Sequence, residues 1–83
     1  MVAEVEVRFF AAAIDAAGTS KTVVELGESP TVGELKTVLA DRYGERMAHI
    51  LRVAAYLIGD DLIRDEAHPL GTRVDVLPPF AGG

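Results

Sequence analysis

Alternating apolar and charged positions predict the first strand near the start of the chain. Over residues 4–10, Val5, Val7 and Phe9 share one parity and charged residues take most of the other. Successive side chains of a strand point to opposite faces, so the pattern predicts a strand with one buried face. Phe10 falls on the face that is otherwise charged, and it is therefore a candidate for an apolar contact outside the core.

Further strands are predicted where β-branched or alternating apolar residues recur between turn signals. The predicted segments are 21–26, 53–58, the short 62–63 and 72–77. In the last segment, Leu77 shares the parity of Arg73 and Asp75, which places it on the polar face. The diproline at 78–79 ends this strand, because proline cannot donate a ladder hydrogen bond.

One helix is strongly predicted after the second strand. Thr31 and Glu34 form a capping-box pattern, in which each side chain accepts a hydrogen bond from the other residue's backbone N–H. Gly44 is a typical helix stop. Between them, apolar residues recur at helical spacing, at Val32, Leu35, Val38, Leu39 and Tyr43.

The order of these elements predicts an α+β roll, a mixed sheet with one main helix packed on one face. Residues 11–17 fit either a loop or a short helical turn, and 45–51 are ambiguous. If the first and last strands pair in the middle of the sheet, they must run parallel. We expect residues 1–79 to form this domain and residues 80–83 to form a flexible, functional C-terminal tail.

Composition limits the chemistry that the chain can perform. Its 83 residues suffice for one domain, and it has no cysteine for disulfides, thiolate metal sites or a thiol nucleophile. Thirteen acidic residues against 8 basic ones, with a net charge of -5, disfavour binding to nucleic-acid phosphates. The start shows no signal-peptide pattern and no apolar stretch is long enough to span a membrane, so we expect a cytoplasmic protein.

The remaining polar residues form no catalytic or metal-binding pattern. His49 and His68 have no cluster of acids around them in the sequence. The acidic residues between 60 and 66 are either a solvated loop or a docking surface for a basic partner. We therefore expect no metal site, no bound cofactor and no catalytic machinery within the chain itself.

The end of the chain carries the most specific chemical signal. The diproline stiffens the exit from the last strand, and Phe80, Ala81, Gly82 and Gly83 follow it. Glycines lack a Cβ atom, so such a tail is thin enough to enter a narrow channel of another protein. The tail is predicted to insert through residues 80–82 and to present the Gly83 carboxylate to a partner's active site. Inert, glycine-containing termini are also common, which is the alternative interpretation.

Several short motifs resemble those of a known family. They are Phe9-Phe10-Ala11, Pro30-Thr31-Val32, His68-Pro69-Leu70 and, most specifically, the strand, diproline and diglycine of 74–83. Over nearly its whole length the chain resembles the MoaD/ThiS ubiquitin-like sulfur carriers, and within them the small subunits of molybdopterin synthase. It departs from that pattern at Ile14, where the family often has arginine, and at Ile58-Gly59, where Asn-Gly or a similar pair is common.

The resemblance implies a β-grasp, ubiquitin-like roll and a role as a non-catalytic sulfur donor. A MoeB-like adenylating enzyme would use ATP to activate Gly83, whose carboxylate then becomes a thiocarboxylate. In the heterotetramer with a MoaE-like large subunit, the tail would donate sulfur to cyclic pyranopterin monophosphate in molybdenum cofactor biosynthesis. Three alternatives stay open: a carrier for thiamine or cysteine biosynthesis, a ubiquitin-like protein modifier, and a binding module with an inert tail.

A partner-docking patch is predicted at Phe10, Leu62 and Leu77. Phe10 and Leu77 lie on the polar faces of strands that the fold would make parallel neighbours, so both fall near the exit of the tail. Exposed apolar groups beside a functional tail suit docking, and the resembling family has hydrophobic contact residues at these positions. The alternative is that Phe10 packs over the sheet end as local core, since scattered exposed apolar residues are common.

Overall fold

The computed structural model describes residues 2–79, which form a mixed sheet with helices on one side. The elements are β1 (Ala3–Phe9), α1 (Ala12–Ala17), β2 (Lys21–Leu26), α2 (Val32–Tyr43), α3 (Glu45–Val53), β3 (Ala55–Ile58), β4 (Asp61–Ile63) and β5 (Arg73–Leu77). Within these residues the five-stranded sheet has the order β2-β1-β5-β3-β4. β1 and β5 are parallel, and the other neighbours are antiparallel. The predicted roll with a central parallel pair is therefore confirmed.

Helical structure is more extensive than the sequence pattern predicted. α1 occupies the segment that had been left open between loop and helix, and α3 continues through the ambiguous one. The predicted strand 53–58 was wrong at its start, because Val53 is the last residue of α3. The backbone N–H of Ala54 donates to the Ile50 carbonyl at 3.0 Å, and this hydrogen bond closes the helix end. No helix within residues 2–79 has the length and apolar character needed to cross a membrane.

The core lies between the inner face of the sheet and the helices. β1 contributes the alternating residues that the sequence predicted, and Val74 and Val76 of β5 lie beside them. From the helix side, the core receives Val32, Leu35 and Leu39 of α2 and Met47 and Leu51 of α3. The rings of Phe9 and Tyr43 meet edge to face at a centroid distance of 5.8 Å, which ties the end of α2 to β1.

The start of α2 differs in one contact from the predicted capping box. The Thr31 hydroxyl accepts a hydrogen bond from the Glu34 backbone N–H at 3.3 Å, as predicted. The Glu34 carboxylate instead accepts from the backbone N–H of Gly27 at 2.7 Å. Glu34 therefore fastens the loop after β2 to the first turn of the helix, a longer-range contact than a local pattern shows.

Tyr56 supplies a polar anchor inside the core. Its side chain is fully buried, and its hydroxyl donates to the Leu51 carbonyl at 2.7 Å. Burial, and secondarily the Glu66 carboxylate, raises the pKa of Tyr56 well above its ordinary value of 10.0. The hydrogen bond holds the end of α3 against β3, the strand that follows it.

Candidate functional site

The root of the tail lies at the end of the strand between β1 and β3. β5 ends at Leu77, and the diproline follows with Pro78 half-buried and Pro79 exposed. Gly83 and the predicted insertion residues 80–82 lie outside the described residues. The structure therefore locates where the tail leaves the domain, at the end of a central strand.

The face of the sheet opposite the core changes from charged to apolar across its width. The strand register places Arg8 opposite both Lys21 and Asp75. It places Leu57 opposite both Asp75 and Leu62. Side chains opposite one another in neighbouring strands lie on the same face, so these residues form one row across the sheet. The Arg8 guanidinium lies 3.8 Å from the Asp75 carboxylate near the middle of the row.

Leu57, Leu62 and Leu77 form an apolar strip at one side of this outer face, here called the leucine strip. Leu77 is paired with Ala55, which shares a face with Leu57 two residues further along β3. Leu62 is 64% exposed, and the other two leucines are half-buried. The predicted docking residues Leu62 and Leu77 are thus brought to one surface near the tail root.

Sequence reasoning missed Leu57, which joins the two predicted leucines. No residue of β3 is charged, so no alternation of charged and apolar residues marks which side chains face away from the core. Pairing with Leu62 and with the charged Asp75 identifies the outward face. The outward face of β3 is therefore identified by its neighbours β4 and β5 and not by its own sequence.

Phe10 lies beyond the end of β1, where the chain turns into α1. Its carbonyl accepts a hydrogen bond from the Ala13 N–H at 3.1 Å, which closes a tight turn. The predicted strand 4–10 therefore ends one residue early. The pairing of β1 with β5 ends at Phe9–Val76, and Phe10 and Leu77 are the residues that directly follow this pair. Its ring is half-buried beneath the Arg8 guanidinium, whose carbon lies 5.6 Å from the ring centroid, and it is not part of the core cluster.

A groove of about 410 Å³ lies beside Phe10 on the outer face, here called the basic groove. Its lining includes the cationic side chains of Arg8, Lys21 and Arg73 together with the carboxylate of Glu6. Positive charge therefore collects beside the apolar ring, although the chain as a whole carries a net charge of -5. These cations come from three separate strands, so no continuous segment of the sequence predicts that they lie together.

Ile14 lines the basic groove as well. It is 36% exposed and belongs to α1, the short helix that follows the Phe9-Phe10-Ala11 motif. The position that departs from the family pattern thus borders the predicted docking residue. Ile14 contributes an apolar side chain to the groove, and the cationic side chains come from β1, β2 and β5.

Two residues of the acidic segment 60–66, Asp65 and Glu66, form hydrogen bonds or ion pairs within the domain. Asp65 accepts the backbone N–H of Ala67 at 3.0 Å. Glu66 accepts from the Lys36 ammonium at 3.0 Å, and its carbonyl accepts the Gly33 N–H at 2.9 Å at the start of α2. These contacts support a structural role for its later residues.

Histidine and carboxylate side chains do not converge on a metal site in the part of the chain that the structure describes. No group of three or more potential ligands is found among residues 2–79. His68 uses its Nδ1 atom locally, at 2.8 Å from the Pro69 carbonyl.

The sheet order, with α2 connecting its two halves across one face and with the diproline following a central strand, defines a β-grasp domain of the ubiquitin-like class. Within that class the chain belongs to the ThiS family, whose model matches residues 7–83. A comparison with curated proteins found no match.

Solved structures with this fold include subunits of molybdopterin-converting factor and small archaeal modifier proteins. The chain is similar to the Helicobacter pylori complex of subunits 1 and 2 of molybdopterin-converting factor, with 29% identity, a TM-score of 0.64, and 96% and 99% of the two chains covered. It is similar to the small archaeal modifier protein 1 of Methanosarcina acetivorans, with 25% identity, a TM-score of 0.73, and 100% and 99% covered. The Haloferax volcanii HVO 2177 protein gives 26% identity, a TM-score of 0.79, and 99% and 88% covered.

Proposed function

We propose that the chain is a sulfur carrier whose Gly83 carboxylate is the working group. The observation that supports this most is the tail root: a central strand ends in a diproline, and the sequence continues to a diglycine. The match to the ThiS family extends through these residues, from 7 to 83. The domain positions the tail, and the chemistry is supplied by partner enzymes.

Activation of the carboxylate follows a defined sequence of bonds. A partner enzyme joins a Gly83 carboxylate oxygen to the α-phosphate of ATP, and pyrophosphate leaves. A persulfide held by the sulfur-donating partner then attacks the acyl carbon and AMP departs, which leaves an acyl disulfide. A second thiol of that partner attacks the donor's sulfur and breaks the S–S bond, which leaves a thiocarboxylate on Gly83 and a disulfide on the partner. The chain has no cysteine, so its own side chains offer no thiol to compete for the activated carbonyl.

Within this class, we propose the role of molybdopterin synthase small subunit. The similarity to a chain from the Helicobacter pylori complex of subunits 1 and 2 supports this role. A MoeB-like enzyme adenylates the tail, which then inserts into a MoaE-like large subunit of a heterotetramer. There the thiocarboxylate donates sulfur to cyclic pyranopterin monophosphate during molybdenum cofactor biosynthesis.

The large subunit is proposed to dock on Phe10 and the leucine strip. Phe10 and Leu77 directly follow the last pair of β1 with β5, next to the tail root, and Leu62 is strongly exposed. The Arg8 guanidinium over the Phe10 ring favours a fixed ring orientation through a cation–π contact. Docking here would hold the domain so that the tail enters the partner's active site.

Replacing Phe10 by alanine tests the docking surface. We expect Phe10→Ala to weaken binding to the large subunit about tenfold or more, as truncation of an aromatic anchor commonly does. Titration calorimetry measures the affinity, and thermal unfolding checks that the variant folds. Val23→Ala is the control, because Val23 is 52% exposed on the edge strand β2, away from the leucine strip. Equal affinity for Phe10→Ala and the natural protein would remove Phe10 from the docking surface.

The molybdopterin role is tested by reconstitution. The sulfur-charged chain is mixed with a large subunit and cyclic pyranopterin monophosphate, and dithiolene formation is followed. We expect product from the natural chain and none after deletion of Gly82 and Gly83. A charged chain that yields no product, where a known small subunit does, would indicate another acceptor, such as the thiamine or cysteine pathway.

A protein modifier is the second candidate, supported by the similarity to the Methanosarcina acetivorans modifier over the whole chain. In this case the activated Gly83 carbonyl forms an amide bond with a lysine amine of a target, and the leaving group is AMP or the thiol of a partner enzyme that held the chain as a thioester. Higher-mass conjugates on a denaturing gel, lost after deletion of Gly82 and Gly83, would favour it. A function that survives that deletion would instead indicate a binding module with an inert tail.

A further inference from the structure

An apolar groove of about 250 Å³ opens beside the tail root on the helix side of the sheet. It is here called the root groove. Its lining residues are Ala12 of α1, His49, Ile50 and Val53 of α3, and the diproline Pro78 and Pro79. Val53 is 56% exposed there. The root groove is separate from the leucine strip, which lies on the outer face of the sheet.

We infer that the root groove binds Phe80 of the same chain while no partner is bound. Pro79 forms part of the groove wall. Consecutive Cα atoms lie about 3.8 Å apart across a trans peptide, so this short distance separates the Cα atom of Phe80 from that of Pro79 in the groove wall. Both prolines have a fixed φ, which narrows the directions in which the chain can leave and lowers the entropy cost of docking.

The root groove matches a phenyl ring in size and character. An apolar cavity of about 150 Å³ in another protein accommodates benzene, so a groove of about 250 Å³ admits one phenyl ring. Apart from the His49 ring, its lining side chains are aliphatic. Beyond Pro79 the sequence reads Phe80, Ala81, Gly82 and Gly83, and the aromatic side chain is the one with a large apolar surface to bury.

Docking of Phe80 would limit how far the end of the tail extends from the domain while no partner is bound. With Phe80 held against the domain, residues 81–83 extend at most about 11 Å from it. Insertion of the whole tail into a partner then requires Phe80 to leave the root groove, so the groove and the partner compete for this side chain. The inference concerns an intramolecular contact, and it stands or fails independently of what becomes joined to Gly83.

Methyl NMR of the full-length protein tests the contact directly. An aromatic ring shifts the resonances of methyl groups that it covers, whereas leucine keeps the apolar bulk and loses this effect. We expect the Ile50 and Val53 methyl resonances to move between the natural protein and Phe80→Leu. The Val23 methyls on β2 serve as the internal control and should stay in place. Unchanged Ile50 and Val53 resonances would overturn the inference and leave the root groove open to a partner's side chain.

A fluorescent variant gives an independent measurement. The chain has no tryptophan, so Phe80→Trp introduces a single reporter. We expect emission at shorter wavelength and several-fold weaker quenching by acrylamide than for a solvent-exposed indole. Adding Val53→Ser should abolish both effects, while Val23→Ser should not, since the two valines are similarly exposed at 56% and 52%. If Phe80→Trp emits like a solvent-exposed indole, and adding Val53→Ser does not change the emission, the inference is contradicted. If the variant with Val53→Ser does not fold, the NMR comparison of the natural protein with Phe80→Leu decides.

Discussion

At the scale of single residues, Ala11 adopts a backbone conformation that alanine rarely takes. Its φ is 54° and its ψ is -130°, and it is the one non-glycine residue with positive φ in the described part of the chain. With the Ala13–Phe10 hydrogen bond, these angles correspond to the first central position of a type II′ turn, which favours glycine. The strain sits between Phe10 and α1, where the chain positions its predicted docking residue.

Replacing Ala11 by glycine should stabilise the domain. Glycine adopts positive φ without a Cβ clash, so we expect the free energy of unfolding to rise by about 1 kcal/mol. In a domain of this size that corresponds to a rise of about 4–8 °C in Tm, measured by thermal unfolding. Ala16→Gly, inside α1, is the matched control and should lower Tm. A Tm for Ala11→Gly at or below that of the natural protein would show that Ala11 is unstrained.

Tyr56 gives a prediction about pH. The folded state keeps its proton above pH 10 because burial raises the pKa of Tyr56, whereas the unfolded chain loses it near the ordinary value of 10.0. The unfolded state then binds fewer protons than the folded state, so stability falls as pH rises through this range.

We expect Tyr56→Phe to lower stability by about 1 kcal/mol at neutral pH, because the Leu51 carbonyl loses its donor. The variant should also lose less stability than the natural protein between about pH 9 and pH 11. Denaturant unfolding at a series of pH values measures both effects. Parallel pH profiles for the two proteins would contradict the assigned pKa direction.

At the scale of elements, periodicity was informative where one face is buried and the other solvated. β1 and α2 were predictable because charged and apolar residues alternate at the period of a strand or helix. The boundary between α3 and β3 was not, since the apolar run around Val53 and Ala54 fits either element. Helix closure by the Ala54–Ile50 hydrogen bond decided it. Likewise, the side chains of β3 that face away from the core are identified by its neighbours in the sheet and not by its own sequence.

The start of α2 offers a test at this scale. Thr31→Ala removes the side chain that accepts the Glu34 N–H, and we expect a loss of about 1 kcal/mol in unfolding free energy. Thr31→Ser keeps the hydroxyl and should retain most of the stability. Denaturant unfolding of the three proteins measures the difference. If alanine and serine behave alike, the hydroxyl does not cap this helix.

At the scale of the whole molecule, the described residues form three surfaces outside the core. The leucine strip and the basic groove lie on the outer sheet face, and the root groove lies on the helix side. The sequence predicted the topology and two of the leucines, because parity and element order are local properties. It did not predict either groove, since their residues come from segments far apart in the chain.

The central claim is that Gly83 becomes a thiocarboxylate, and intact mass after alkylation tests it most directly. The chain is produced with a MoeB-like adenylating enzyme, ATP and a sulfur source, then treated with a thiol-alkylating reagent. Alkylation is needed because exchange of oxygen for sulfur changes the mass almost as much as oxidation of a methionine. The chain lacks cysteine, so an alkyl group has no side-chain thiol to attach to.

The account predicts stoichiometric alkylation that maps to Gly83. A variant lacking Gly82 and Gly83 should not be alkylated, yet should unfold at the same temperature as the natural protein, because its core lies within residues 2–79. No alkylation of the natural chain, under conditions in which the same enzymes charge a known carrier, would contradict sulfur carriage by this protein.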